Sequence, residues 1–185
     1  RCYFCKAELL DVLGPLAESV GFAVVATGTN ADDAAAGFRP GVRAAAERGA
    51  ITPLLDAGLT KAQVREASRR WGLPTWNKPA AACLSSRVAY GLEITPARLA
   101  RVDRAEAALR TVLGAADVTV RDPRVRDLGD VARIEVDRAL VGAVSALPAA
   151  LAAVRDVGFA AVELDPLGFR SGAMNELLPE PARFR

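Results

Sequence analysis

Phe22 to Ala26, FAVVA, is apolar at every position and stops in the polar turn Thr27-Gly28-Thr29-Asn30. A run this short and this uniformly apolar fits a strand covered on both faces, as in a parallel sheet. The preceding segment has a different period. From Lys6 to Val20, residues Leu9, Leu10, Leu13, Leu16, Ala17 and Val20 recur at helical spacing, and Gly21 stops the pattern. Pro15 is expected to kink or divide this helix. Helix, strand, then a polar loop at the strand's carboxyl end is an α/β arrangement, and open α/β sheets bind ligands at that edge.

The pattern continues with Ala31 to Gly41 as a loop of small and acidic residues, and a helix from Val42 to Arg48 that stops at Gly49. Thr60 is placed to cap a helix running to Trp71, with Val64, Ala67 and Trp71 on one face and Gly72 at its end. Residues 73 to 91 show no clear period, and long connections of this kind are often functional. A second unit begins near Thr95-Pro96, an N-cap followed by proline at the first helical position. Leu99, Val102, Leu109 and Val112 mark the buried face of that helix. Strands are expected at Val118 to Arg121 and Val131 to Val136. An Ala/Leu/Val-rich helical region comes next over 138–157, interrupted at Pro148, and then a strand over 160–164. This order predicts a small α+β domain. The boundary is expected between Ser86 and Ile94, dividing the chain into 1–90 and 91–185.

Composition narrows the chemistry. Half of the 185 residues are apolar, enough for a hydrophobic core. No apolar run approaches the ~18 to 20 residues that span a bilayer, and the reading is a cytoplasmic protein without a membrane role. The formal net charge is +2 with both signs interspersed, which argues against a nucleic-acid-binding surface. Histidine is absent. Serine–histidine hydrolases and histidine-ligated zinc enzymes are therefore excluded for this chain alone. The first residue is Arg1, followed at once by a cysteine motif, so further N-terminal sequence is expected upstream.

The only cysteines are Cys2, Cys5 and Cys83. Cys2-x-x-Cys5 has the spacing of a pair that binds a metal ion or iron–sulfur cluster, or that cycles as a redox dithiol. Three thiolates can hold a 4Fe-4S cluster with one iron left open. Three buried, unrelated cysteines remain the plain alternative. Gly28-Thr29-Asn30-Ala31-Asp32-Asp33 offers backbone amides to a nucleotide and carboxylates to magnesium, and a polar turn accounts for it equally well. In Lys78-Pro79-Ala80-Ala81-Ala82-Cys83-Leu84-Ser85-Ser86-Arg87, Lys78 and Arg87 can neutralise phosphate. A nearby cation also lowers a thiol pKa and so favours Cys83 as nucleophile or ligand. Arg124 and Arg126 lie two apart, so an extended backbone puts both on one face. They form either an anion site or ion pairs with Asp122 and Asp127. Leu164 to Asn175 (LDPLGFRSGAMN) reads as a functional turn or a tight exit from a sheet.

Taken in order, RCYFCK at 1–6, GTNADD at 28–33, RPG at 39–41, GLPTWNKPAAACLSSR at 72–87, RVR and GDVARIEV at 124–136, and LDPLGFRSGAMN at 164–175 resemble the LarE-type sulfur transferases. The resemblance runs along essentially the whole chain. It implies a PP-loop ATP pyrophosphatase fold: an incomplete PP-loop parallel sheet with helices in 1–90, followed by an α+β substrate and oligomerisation domain in 91–185. The family's Ser-Gly-Gly-x-Asp-Ser phosphate loop is missing from these residues and is expected upstream of Arg1. The implied activity is adenylation by ATP, with Mg2+, of the carboxylates of pyridinium-3,5-biscarboxylic acid mononucleotide, followed by conversion to thiocarboxylates on the way to the nickel-pincer nucleotide cofactor. Gly28, Thr29, Asn30, Asp33, Lys78 and Arg87 carry over as nucleotide-binding residues, and Cys83, Arg124 and Arg126 as catalytic ones. In one branch of the family the cysteine matching Cys83 gives up its own sulfur and becomes dehydroalanine. In the other, that cysteine and a Cys-x-x-Cys pair hold a 4Fe-4S cluster whose open iron carries an extra sulfide. Because Cys2, Cys5 and Cys83 are all present, the cluster type is expected, with a sulfide donor and a homo-oligomeric assembly. The rival readings are a PP-loop transfer-RNA thiolase and a metal-stabilised binding module without turnover.

Overall fold

A computed structural model describes residues 1–36, 39–78, 82–170, 172–178 and 180. The chain divides into two compact units after Lys78. This is earlier than the interval from Ser86 to Ile94 expected from sequence. The residues just after Cys83 explain the difference: Arg87 is buried in an ion pair with Glu106, and Val88 is fully buried and forms a parallel bridge with Asp127. The Cys83 segment therefore belongs to the second unit.

The first unit holds α1 (Cys2–Ser19), α2 (Ala31–Ala35), α3 (Pro40–Ala46), α4 (Pro53–Asp56) and α5 (Lys61–Arg70). Helix α1 starts earlier than expected and takes both Cys2 and Cys5 into its first turn; Pro15 lies inside it without ending it. Ala7 and Leu10 of α1 bury against α3, whose Ala44 and Ala45 are small enough for close approach. The paired Asp11 and Arg48, with Nε to Oδ1 at 2.7 Å, close the far end of this contact. A loop of small and acidic residues is expected over Ala31 to Gly41, but Ala31–Ala35 is helical because Asn30 and Asp33 form a capping box around its first turn. Helix α5 begins where expected, with Thr60 and Gln63 as a second capping box.

The expected buried strand at Phe22 to Ala26 is reduced to one parallel bridge, Ala26 with Ile51. The Ile51 amide donates to the Val25 carbonyl at 3.0 Å, and the Thr27 amide to the Ile51 carbonyl at 2.9 Å. Phe22 and Val24 stay exposed while Val25 is half-buried, so among the described residues this apolar segment has a neighbour on one edge and incomplete cover over its faces.

The second unit holds α6 (Pro96–Ala115), β1 (Arg124–Asp127), β2 (Val131–Glu135), α7 (Val141–Ser145), α8 (Pro148–Arg155) and β3 (Ala161–Leu164). Thr95 caps α6 through the Arg98 amide at 3.2 Å, with Pro96 at the first turn as expected. The strand expected at Val118 to Arg121 lies instead at Arg124–Asp127. It pairs antiparallel with β2, and β2 pairs parallel with β3. Val125, Ala132 and Ile134 on one sheet face meet Ala105, Leu109 and Leu113 of α6 and Ala150 and Val154 of α8, forming the core. Leu109 is fully buried. The opposite face carries Arg124, Arg126, Arg133, Glu135 and Glu163, as the alternation of a strand requires. Helix and strand are thus mixed, as an α/β chain predicts. No single helix among the described residues is long and apolar enough to cross a membrane.

Candidate functional site

Cys83 stands exposed at the start of a 3-10 turn, Leu84–Arg87. The Ser85 hydroxyl lies 2.9 Å from its sulfur, and the Ser86 hydroxyl donates to the Cys83 carbonyl at 2.7 Å. Burial pushes the thiol pKa up, but the Ser85 hydroxyl and the backbone amides of Ser86 and Ser85 outweigh it, so the thiol titrates below its ordinary value. An accessible thiol with a lowered pKa is the microenvironment of a reactive or metal-binding cysteine. The neighbouring residues 79–81, including Ala80 and Ala81 of the expected motif, lie outside the described residues.

This arrangement sets a pH expectation. Below its pKa the thiol is protonated and reacts slowly with iodoacetamide; above it the thiolate reacts fast. With Cys2 and Cys5 changed to serine, the alkylation midpoint of Cys83 is expected below that of an unperturbed cysteine peptide, and Ser85→Ala is expected to move it upward. Equal midpoints for parent and Ser85→Ala would show that the hydroxyl does not act on the sulfur.

Cys2 and Cys5, both exposed, lie three residues apart in the first turn of α1. That spacing sets their Cβ atoms on one helix face, about 5–6 Å apart. The first unit thus offers two thiols and the second offers one. Among the described residues, neither unit by itself gathers three Cys, Asp or Glu side chains around one point. The donor chemistry, three free thiols and no histidine, suits an iron–sulfur cluster better than a structural zinc ion.

The two arginines of β1 do lie on one face, but each already has a carboxylate. Arg124 donates from Nε and Nη2 to Asp122 at 3.0 and 2.7 Å and stacks on the Phe169 ring at 3.8 Å. Arg126 does not take Asp127. It reaches diagonally to Glu135 on β2, with Nε and Nη2 at 2.9 and 2.6 Å from Oε2, and both side chains are buried. Asp127 turns to the helix side and is held by Arg98 at 3.0 Å and Arg101 at 2.8 Å. Arg87 is buried too, with its Nε 2.8 Å from Glu106. Its guanidinium, expected from sequence to neutralise phosphate, is paired with Glu106. Lys78 is exposed; its carbonyl accepts from Arg65 at 3.1 Å.

In the Gly28 to Asp33 loop, Gly28 is exposed, with no atom of the described residues within 4 Å of where a Cβ would stand. The Thr27 and Thr29 hydroxyls are 3.0 Å apart, the Asn30 side chain accepts the Asp33 amide at 3.2 Å, and Asp33 accepts the Asn30 amide at 3.3 Å. Asn30 and Asp33 are thus committed to capping. In the Leu164 to Asn175 segment, Asp165 accepts the Leu167 amide at 2.8 Å and the Phe169 amide donates to the Val136 carbonyl at 2.7 Å, which is a tight exit from the sheet.

Four residues of the Cys83 environment were not singled out from sequence: Ser85, Ser86, Glu106 and Glu135. Glu106 did leave a signal. It is a carboxylate among the buried positions Val102, Ala105, Leu109 and Leu113 of α6, where a charge requires a partner.

No protein-family model matches the chain. It is 45% identical over 182 residues to an uncharacterized protein of Synechocystis, covering 96% of this chain and 65% of that protein. It is 37% identical over 177 residues to the pyridinium-3,5-bisthiocarboxylic acid mononucleotide synthase of Lactiplantibacillus plantarum, covering 95% of this chain and 62% of that protein. The chain therefore spans just under two thirds of the length of these relatives. Within that span the similarity to the synthase runs along 95% of this chain's residues.

Proposed function

We propose that the chain is part of an ATP-dependent sulfur insertase that converts the carboxylates of pyridinium-3,5-biscarboxylic acid mononucleotide to thiocarboxylates. The observation that carries this reading is Cys83: an exposed thiol with a lowered pKa, in a chain 37% identical to a synthase of the bisthiocarboxylate product. A carboxylate does not lose oxide, so activation must come first. The carboxylate oxygen attacks the α-phosphorus of ATP and pyrophosphate leaves. A sulfur nucleophile then adds to the acyl carbon, and AMP departs with that oxygen. Mg2+ accompanies the nucleotide.

Cys2, Cys5 and Cys83 are the residues that would hold a 4Fe-4S cluster, which when bound supplies a labile sulfide. The chain's own part is to present these thiols, and at Cys83 the Ser85 hydroxyl and the turn amides favour the thiolate. The ion-paired state of Arg124 and Arg126 favours a role in shaping the site over direct capture of a free phosphate.

Purified and reconstituted without oxygen, the protein is expected to be brown with about four irons per chain, the content of a cluster on three thiolates. Cys83→Ala is expected to abolish sulfur transfer. Stoichiometric zinc, or no bound metal after reconstitution, would overturn the cluster. Loss of one sulfur atom from Cys83 per turnover, read by intact mass, would replace it with the sacrificial route.

A further inference from the structure

We propose that Arg87 and Arg126 are positioning residues for the Cys83 sulfur, acting as two buried guanidiniums that hold the backbone on either side of it. The Arg87 Nη1 donates to the Ala82 carbonyl at 3.0 Å, the peptide group that leads into Cys83. The same nitrogen donates to the Ser86 hydroxyl at 3.2 Å, which in turn donates to the Cys83 carbonyl at 2.7 Å. On the other side of the turn, Arg126 Nη1 donates to the Ser86 carbonyl at 3.1 Å. The carbonyls of 82, 83 and 86 are thus all tied to two cations.

Each cation is itself fixed. Glu106 takes Arg87 and Glu135 takes Arg126, and the four side chains are only 2 to 6% exposed. Buried ion pairs are weak sources of stability, because apolar residues of similar volume often serve as well. Two of them beneath one exposed cysteine call for another account, and the donors that they leave over supply it. Those donors point at the Cys83 turn. A 3-10 turn of four residues has poor hydrogen-bond geometry and does not sustain itself, whereas charge-assisted bonds from immobile guanidiniums give it one conformation. Arg126 belongs to β1 and Glu106 to α6, so the sulfur is referenced to the rigid core rather than to its own loop.

The inference rests on the reading of Cys83 as the thiol that handles sulfur, but its test is geometric. Cys2 and Cys5 are changed to serine and a nitroxide label is attached to Cys83. In this background the ion pairs are replaced by apolar residues, Arg87→Met with Glu106→Leu, and Arg126→Met with Glu135→Leu. Both partners are removed together so that no charge is left buried alone. Each double variant is expected to give about a twofold or larger drop in the rotational correlation time of the label, as ps–ns motion of the released turn widens. The exposed pair Arg133 and Glu163, replaced in the same way, is expected to leave the spectrum unchanged. Spectra of folded double variants that superimpose on the parent would overturn the proposal. Should a double variant not fold, Ser86→Ala deletes the link from Arg87 to the Cys83 carbonyl with both ion pairs kept. It must still mobilise the label, and an unchanged spectrum is equally fatal. The label reports position alone, so this outcome is separate from whether Cys83→Ala abolishes sulfur transfer.

Discussion

Glu106→Ala is expected to destabilise the second unit by about 3–5 kcal/mol, the size found when one partner of a buried ion pair is removed. Glu106 sits on the core-facing side of α6 and is 2% exposed. Its Oε1 accepts from Arg87 Nε at 2.8 Å and from the Val125 amide at 3.2 Å, and its Oε2 accepts from Arg110 at 3.1 Å. Alanine therefore leaves two orphans. One is the Arg87 cation, 4% exposed, whose next carboxylate, Asp122, is 3.8 Å away. The other is a buried backbone amide on β1, whose lost acceptor alone costs about 1–3 kcal/mol.

Urea unfolding checks this, with the slope m unchanged and the midpoint lowered. Two comparisons locate the cause. Glu163→Ala removes an exposed partner of Arg133 and is expected to change stability by less than about 1 kcal/mol. Replacing both residues, Arg87→Met with Glu106→Leu, removes both charges and is expected to recover the part of the loss due to the unpaired Arg87 cation, since apolar groups can replace a buried pair, while the part due to the Val125 amide stays. A loss below about 1 kcal/mol for Glu106→Ala would mean that Arg87 reaches water, contrary to its burial.

How far the sequence could be read depended on whether a feature was local. Helices α5 and α6 were legible because their starts are written within four residues, by Thr60 with Gln63 and by Thr95 with Pro96. The first sheet strand was misplaced for the opposite reason. Val118 to Arg121 alternates like a half-buried strand, while Arg124–Asp127 is mostly charged and reads as surface. Its charges are admissible inside because Glu135 neutralises Arg126, and Arg98 and Arg101 neutralise Asp127. These partners are 9, 29 and 26 residues away in sequence, beyond any local pattern. The same distance hid the site's support. Arg87 and Arg126 were visible as cations next to interesting residues, but their partners Glu106 and Glu135 decide that they face inward. At Phe22 to Ala26, apolar character indicated burial, and among the described residues the Ile51 edge is paired while Phe22 and Val24 stay exposed. Composition states that a segment needs cover; it does not state what covers it.

Gly168→Ala is expected to cost about 2–5 kcal/mol, because left-handed strain and overpacking act together there. Gly168 has φ +67°, and a Cβ would stand 2.8 Å from the Arg138 Cα, 2.8 Å from the Val136 carbonyl oxygen and 2.9 Å from the Arg138 nitrogen. All three are backbone atoms, so no side chain can swing away to make room. The Val136 oxygen already accepts the Phe169 amide at 2.7 Å. Moving the chain outward would break that bond and carry Phe169 away from Arg124, on which it stacks at 3.8 Å. Gly172 separates the two contributions. It also has a positive φ, +83°, but among the described residues a Cβ there meets only the Asn175 Nδ2, at 3.8 Å. Gly172→Ala therefore carries backbone strain without a clash, about 1–2 kcal/mol. For a unit of this size each kcal/mol lowers Tm by roughly 4–8 °C, so thermal unfolding resolves the pair. Equal shifts for the two variants would mean that the exit from β2 is not held against Gly168, and that Phe169 is free to leave Arg124.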